Sequence, residues 1–154
     1  MAGDTSMVEQ ALSNAISKTL EEMSFSEVIK EESKKLDAIK NGVYCASLTV
    51  SDPFIGKLSL YMSTSLAEKL TEATFGVENI VPTEEIVLDA LREFINTIFG
   101  CALAEIVDND KSFMLGLPNS EVLDSFDVSS VPDAQLYLVD QEYLVLVPEG
   151  AALT

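Results

Sequence analysis

Apolar residues near the amino terminus recur at steps of three and four, which is typical of an amphipathic helix. The residues of this apolar stripe are Met7, Val8, Ala11, Leu12, Ala15, Ile16, Thr19, Leu20 and Met23. We expect the helix to end near Ser24. The next segment, residues 26–42, is highly charged and ends in the turn-forming pair Asn41-Gly42. It is predicted to be a connecting loop or a weak helical turn, and a short strand around residues 28–29 also fits the pattern.

Two segments alternate between apolar and polar residues with a period of two, which indicates β-strands buried on one face. They are residues 43–50 and 57–63, and the turn-forming residues 51–56 between them predict a hairpin. Further strands are predicted at residues 112–117, 135–140 and 142–147. The last two are close enough in the sequence to form a tight hairpin around Asp140-Gln141, although neither residue is Gly or Asn.

Two more helices are predicted between the strands. The first covers residues 65–75, where Ser65 and Glu68 fit a capping box. The second and longest covers residues 83–107 and begins after Pro82. Because consecutive strands have short connections, we expect an antiparallel sheet with the helices packed against it. The predicted fold class is therefore α+β, an arrangement of two layers.

The length favours a single domain that spans the whole chain. The chain has 154 residues, which is the size of one domain with a substantial core. We expect residues 1–154 to form this domain, with frayed termini at residues 1–6 and 149–154. The amino terminus shows no basic segment followed by an apolar run, and no stretch is long and apolar enough to span a bilayer. The expected location is therefore the cytoplasm.

The composition excludes several classes of function. The chain has 9 basic and 26 acidic side chains and a formal net charge of −17. This charge argues against partners that are nucleic acids or anionic membranes, since both are bound through Lys and Arg. The absence of His excludes Ser-His-Asp and Cys-His triads and any His-ligated metal site. Cys45 and Cys101 are too few and too far apart for a disulfide framework, and we expect them to be buried apolar residues.

The longest predicted helix has a polar face opposite its apolar face. At about 100° per residue, Asp89, Glu93, Asn96 and Gly100 all fall within about 60° of one another. Arg92 falls near the edge of this polar stripe, about 60° from Asp89. The apolar residues of the opposite face are Val87, Ala90, Leu91, Phe94, Ile95, Ile98 and Ala102.

The residue types of this stripe suggest more than a solvated surface. A solvated polar face is the common interpretation of such residues taken singly. However, Asn is a poor helix former, and a mid-helix Gly costs roughly 1 kcal/mol relative to Ala. Such local inconsistencies on an exposed face are expected where function requires them. Glu105 falls on the apolar side of the same helix, where the helix is expected to end, bend or meet a partner.

The stripe resembles the motif of the CheC/CheX/FliY family of chemotaxis phosphatases. That motif is an Asp or Ser, three residues, a Glu, two residues, an Asn, and a Gly four residues further on, as in Asp89, Glu93, Asn96 and Gly100. In the family some twenty-two residues lie between the Asn and a following Pro. Here twenty-one residues lie between Asn96 and Pro118.

The resemblance extends over about residues 7–148. The end of the first helix at residues 22–25 and the turn at residues 52–56 are similar to the CheX branch. A single Glu/Asn helix is also typical of CheX-like members, since CheC carries two. CheX members often have a second Asn directly after the glycine, a position that Cys101 occupies here.

The resemblance implies a function, namely hydrolysis of the aspartyl phosphate of a CheY-like response regulator. By position, Glu93 would dock against the regulator's lysine, and Asn96 would orient the attacking water. Gly100 would allow close approach, with Asp89 and Arg92 in supporting or partner-binding roles. The protein would need no cofactor of its own, because the phosphorylated regulator supplies the magnesium. CheX-like members also pair as homodimers, so a homodimer is expected.

Two alternatives remain open at this point. The chain could be a non-catalytic module that binds a response regulator or another chemotaxis or flagellar protein. The intact Glu93 and Asn96 favour the phosphatase, whereas the Cys101 replacement and the short spacing to Pro118 keep the binding module open. The chain could also be a dimeric structural domain whose polar stripe is only solvated. In either case the apolar segments 136–139 and 143–147 are candidates for a sheet edge that pairs two subunits.

Overall fold

The structure, a computed structural model, describes residues 2–31, 36–75, 82–108 and 110–154, with side chains from Met7 onward. Its helices are α1 (Ala2–Ser24), α2 (Thr64–Phe75) and α3 (Glu84–Ile106). The predicted end of the first helix and the extent of α3 are confirmed, but α3 is not longer than α1, since both have 23 residues. The carboxyl end of α2 lies next to residues outside the described ranges.

The predicted capping box of α2 is wrong. The Leu66 N–H donates to Ser63 Oγ at 3.1 Å, so Ser63 caps the helix from the last position of the preceding strand. Ser65 Oγ donates instead to a carboxylate oxygen of Glu142 at 3.4 Å. The first helical turn is therefore attached to a neighbouring strand, a contact that the local sequence does not encode.

The strands are β1 (Val28–Glu31), β2 (Ala38–Ile39), β3 (Val43–Asp52), β4 (Gly56–Ser63), β5 (Met114–Leu115), β6 (Asn119–Leu123), β7 (Phe126–Asp127), β8 (Gln135–Val139) and β9 (Glu142–Glu149). Among the described residues, seven strands form an antiparallel sheet in the order β1-β8-β9-β4-β3-β5, and β6 pairs with β3 beside β5. Strands β2 and β7 form a small separate sheet. The α+β class is confirmed.

The three helices pack on one face of the large sheet and bury the main core. The alternation along β3 sends Tyr44, Ala46, Leu48 and Val50 into this core, as the period of two predicts. The opposite face is not simply solvated, since Val43 belongs to a second apolar cluster. The other buried members of that cluster are Ile39, Val128, Ala134, Leu136, Val145 and Val147. The segments around β2 and β7 thus cover part of the second face.

The hairpin between β8 and β9 is confirmed, but it is not at an edge of the sheet. Asp140 and Gln141 have φ angles of 47° and 74°, the left-handed region that a two-residue hairpin loop requires. Strand β8 pairs with β1 on its other side, and β9 pairs with β4. The prediction that these apolar strands form a free edge is therefore wrong, because the short strand β1 from the charged segment covers β8.

Two further regions differ from the sequence-based expectations. Strands β6 and β7 were not predicted, because β6 is partly exposed along its length and lacks a clear apolar alternation. The carboxyl-terminal segment is not frayed throughout, since Leu153 is only 2% exposed and its N–H donates to the Gly150 carbonyl oxygen at 3.0 Å. A Cβ at Gly56 would lie 2.8 Å from Leu153, which shows how closely this turn packs on β4.

Candidate functional site on the exposed face of the third helix

The core fixes the orientation of α3 and so determines which side chains reach solvent. Nine α3 residues are buried: Val87, Ala90, Leu91, Phe94, Ile95, Ile98, Phe99, Ala102 and Leu103. The helix begins at Thr83, whose side chain accepts the Ile86 N–H at 3.3 Å. Glu84 and Glu85 occupy the first turn, where negative charge stabilises the positive end of the helix dipole. The opposite face of α3 is consequently presented outward as a rigid surface.

The predicted stripe lies on this outward face. Asp89, Glu93 and Asn96 are exposed, and Gly100 is half-buried one turn further along. A Cβ placed on Gly100 would meet no neighbouring atom within 4 Å. Packing within the chain therefore does not require glycine at this position. The open space above Gly100 instead leaves the helix backbone accessible from outside.

Arg92 is held by contacts within its own chain. One guanidinium nitrogen donates to Asp89 Oδ1, and the other donates to Ser120 Oγ at 2.7 Å. Ser120 Oγ in turn donates to the Leu88 carbonyl oxygen at 2.9 Å. These bonds join Asp89, Arg92 and β6 into one connected group, which fixes β6 beside the stripe. Sequence reasoning missed Ser120, because β6 was not predicted and no local pattern relates Ser120 to α3.

The direction of β6 places the motif proline near the stripe. Helix α3 ends at Ile106 and β5 begins at Met114, so the chain returns to the sheet from the carboxyl end of α3. Ser120, further along the chain on β6, contacts α3 nearer to its amino end, at Leu88 and Arg92. Strand β6 therefore runs antiparallel to α3, and the chain before Ser120 continues toward the Asn96 end of the helix.

Two other residues of α3 lie away from the stripe. Cys101 is half-buried and packs against the main core, so it lies at the margin of the apolar face. The position at which CheX members often have a second Asn therefore lies at the side of the helix and not at the centre of the stripe. Glu105, which the periodicity places on the apolar side, is exposed in the seam between α3 and α1. There it accepts a hydrogen bond of 3.5 Å from the Asn14 side-chain amide.

The cysteine on β3 is a buried thiol apart from the stripe. Cys45 is 7% exposed, and burial is the main cause that raises its pKa. The neighbouring Tyr61 stacks on Phe126 with ring centroids 3.7 Å apart. Burial, together with the contact to Cys45, raises the pKa of Tyr61 to about 12. Both groups thus remain protonated at neutral pH, and Tyr61 packs against the second apolar cluster.

Two general features of the described ranges bear on the type of site. No three His, Cys, Asp or Glu side chains within them are grouped so that they could hold a metal ion. No described helix has the length and apolar character needed to cross a membrane.

Comparison with known proteins identifies the family. A family model described as chemotaxis phosphatase CheX matches residues 44–140, which is more than half of the chain. The chain belongs to the CheX family. The matched range contains the whole Glu93/Asn96 stripe together with Pro118 and β6. A comparison with curated protein sequences finds no significant match.

Solved structures of the same family share the fold. A CheX from Desulfovibrio desulfuricans has a TM-score of 0.74 at 20% identity, over 92% of this chain and 97% of that one. FliY from Thermotoga maritima has a TM-score of 0.68 at 13% identity, over 99% and 92%. A CheX from Borrelia burgdorferi, solved in a complex with CheY, BeF3 and magnesium, has a TM-score of 0.60 at 15% identity, over 92% and 97%. At these identities the likeness shows the fold.

Proposed function

We propose that this CheX-family chain hydrolyses the aspartyl phosphate of a CheY-like response regulator. The observation that carries the proposal is the outward-facing stripe of Glu93, Asn96 and Gly100 on a helix whose other face is fixed by the core. In this proposal Asn96 enters the regulator's active site, and Glu93 docks against a lysine of the regulator. The relative solved with CheY and BeF3 supports the choice of partner.

The chemistry requires little from the phosphatase beyond positioning. The oxygen of a water molecule attacks phosphorus while the bond between phosphorus and the aspartate oxygen breaks, which releases inorganic phosphate and the free carboxylate. Phosphoryl transfer of this kind depends mainly on orientation and charge stabilisation. The Asn96 carboxamide can accept one water proton in a hydrogen bond and direct the water oxygen toward phosphorus. Magnesium belongs to the phosphorylated regulator in this proposal.

The side-chain chemistry at position 96 is suited to this role. A neutral amide both accepts and donates hydrogen bonds, and it brings no negative charge toward the phosphoryl group. An aspartate of the same size would repel that group. Asn96 is exposed, so the amide is free to reach a docked partner. Arg92, which is bonded to Asp89 and Ser120, supports the helix and β6 in this scheme.

A second candidate is a CheX-family module that binds a regulator without accelerating hydrolysis. The shortened spacing between Asn96 and Pro118 favours this candidate. The position of Cys101 at the margin of the apolar face weakens the other argument for it, since Cys101 packs against the core. The two candidates make the same contacts and differ only in whether phosphate release is accelerated.

The test measures phosphate release from every CheY-like regulator of the same organism after phosphorylation with a small-molecule phosphodonor. The variants are Asn96→Ala, Asn96→Asp and Glu93→Ala. The matched control is Asn14→Ala, because Asn14 is an exposed helical Asn on α1 and not on α3. Binding to the same regulators in the presence of beryllofluoride and magnesium is measured in parallel.

We expect the wild type to accelerate release from one regulator and Asn96→Ala to lose this activity on the order of 100-fold, as for a misplaced nucleophile, while still binding. Asn96→Asp should be at least as inactive, and Glu93→Ala should lose binding. Binding without acceleration by the wild type would support the binding module instead. If the wild type neither binds nor accelerates release from any regulator, the stripe is only surface.

A further inference from the structure

The segment between β5 and β6 contains a β-bulge at residues 116–118. Ser47 pairs with Asn119 and Val50 pairs with Leu115. The β3 strand advances by three residues between these pairs, whereas its partner segment advances by four. One extra residue is therefore accommodated in the partner segment, which defines a bulge. Pro118 lies in it, at a place where the strand makes no ladder hydrogen bond that would need a proline N–H.

The bulge holds a large apolar side chain in solvent. Leu117 is 93% exposed, the highest value among the large apolar residues of the described ranges. Its backbone is fixed on both sides, since the Gly116 N–H donates to the Thr49 carbonyl oxygen at 2.8 Å and Asn119 pairs with Ser47. A Cβ at Gly116 would lie 2.7 Å from Thr49 Oγ1, which shows how closely this backbone approaches β3.

The bulge lies on the side of the Glu93/Asn96 stripe. Ser120 fixes β6 to Arg92, and β6 runs antiparallel to α3, so the chain before Ser120 passes toward the turn of α3 that carries Asn96. Bulges are common beside active sites, where they redirect a side chain. A protein that docks over Asn96 would therefore cover Leu117 as well.

We infer that Leu117 is a second docking point for the phosphorylated regulator and contacts an apolar surface next to its phosphorylation site. This inference rests on the proposed function. When an exposed leucine on a fixed backbone is buried against a partner, the burial favours binding, and little conformational entropy of the loop is lost. The stripe itself is acidic, with Asp89 and Glu93 exposed, so the apolar contact adds affinity that does not depend on charge. Leu117 would thus select among regulators, and Asn96 would act on the one that is bound.

The test compares Leu117→Ser with Ile55→Ser in phosphate release at increasing regulator concentration. Ile55 is the matched control, because it is 82% exposed and lies in the turn between β3 and β4. We expect Leu117→Ser to raise KM about tenfold, as for loss of a buried leucine contact, with kcat unchanged. Ile55→Ser should leave both constants unchanged. Thermal unfolding of both variants should match that of the wild type, since neither side chain is buried.

Three outcomes separate the hypotheses. A tenfold rise in KM at constant kcat, with weaker binding to the beryllofluoride-activated regulator, supports the role of Leu117. An active wild type whose KM is the same in Leu117→Ser, or is raised equally in Ile55→Ser, overturns this role and leaves the proposed function intact. A wild type that neither binds nor hydrolyses any phosphorylated regulator overturns the proposed function and the role of Leu117 together.

Discussion

Gly100 is the position where stability and function are expected to oppose each other. It lies inside α3, and a Cβ at this residue would meet no atom within 4 Å. Replacing a helix-interior glycine by alanine removes backbone freedom from the unfolded chain and stabilises a helix by about 1 kcal/mol. We therefore expect Gly100→Ala to raise the free energy of unfolding by about 1 kcal/mol, and Tm by about 2–4 °C for a chain of this length.

The same methyl group should weaken the proposed activity. It would project from the outward face of α3, next to Asn96, into the space that the regulator occupies in the proposed complex. An extra methyl group in a close-packed contact typically costs about 1–3 kcal/mol, which corresponds to about 5- to 150-fold in affinity. Phosphate release at low regulator concentration should fall by about this factor, although the free protein is more stable.

Urea unfolding measures the stability change, and phosphate release from the phosphorylated regulator measures the activity. Gly56→Ala is the control for the packing argument, because its Cβ would lie 2.8 Å from Leu153 and 3.2 Å from the Glu149 carbonyl oxygen. This control should lower the free energy of unfolding. A lower free energy of unfolding in Gly100→Ala would contradict the finding that a Cβ at this position meets no neighbouring atom. A stabilised Gly100→Ala with wild-type phosphate release would show that close approach of a partner does not require the glycine.

Four further predictions concern the remaining contacts. A thiol reagent should label Cys101 faster than Cys45 in the folded protein, because Cys45 is buried and its pKa is raised, and equal rates would contradict this burial. The pKa of Tyr61 is raised to about 12, so the stability that its neutral hydroxyl contributes should be complete below about pH 10 and be lost as the pH rises toward 12. Urea unfolding at alkaline pH should therefore show a smaller loss of stability in Tyr61→Phe than in the wild type. Ser120→Ala should lower the free energy of unfolding by about 1 kcal/mol, because Arg92 loses a hydrogen-bond acceptor, and an unchanged urea midpoint would argue against this link. Light scattering at micromolar concentration should give twice the 16.7 kDa mass of one chain if the expected homodimer forms, and the mass of a single chain would refute it.

The elements that the sequence predicted well are those whose burial is periodic. The extent of α3 was predicted within one residue at each end, because nine of its 23 residues pack into the core at helical spacing. The strands β3 and β4 were found for the same reason, since their alternating residues face the helices. Strand β6 was missed, because its residues are partly exposed and its pairing with β3 joins segments far apart in the sequence.

One part of the candidate site could be predicted from the sequence and another part could not, and both outcomes depend on whether local periodicity determines the position. The orientation of Glu93 and Asn96 follows from the apolar residues on the other side of the same helix, so periodicity alone places both on the outward face. The surroundings of that face depend on β6, whose Ser120 contacts Arg92 across 28 residues of sequence. Leu117 shows the limit most clearly, because it is exposed at a register shift against β3, and a register shift leaves no periodic signal in the sequence. The residues proposed to act on phosphate could therefore be predicted from the sequence, whereas the residue proposed to select the partner required the structure.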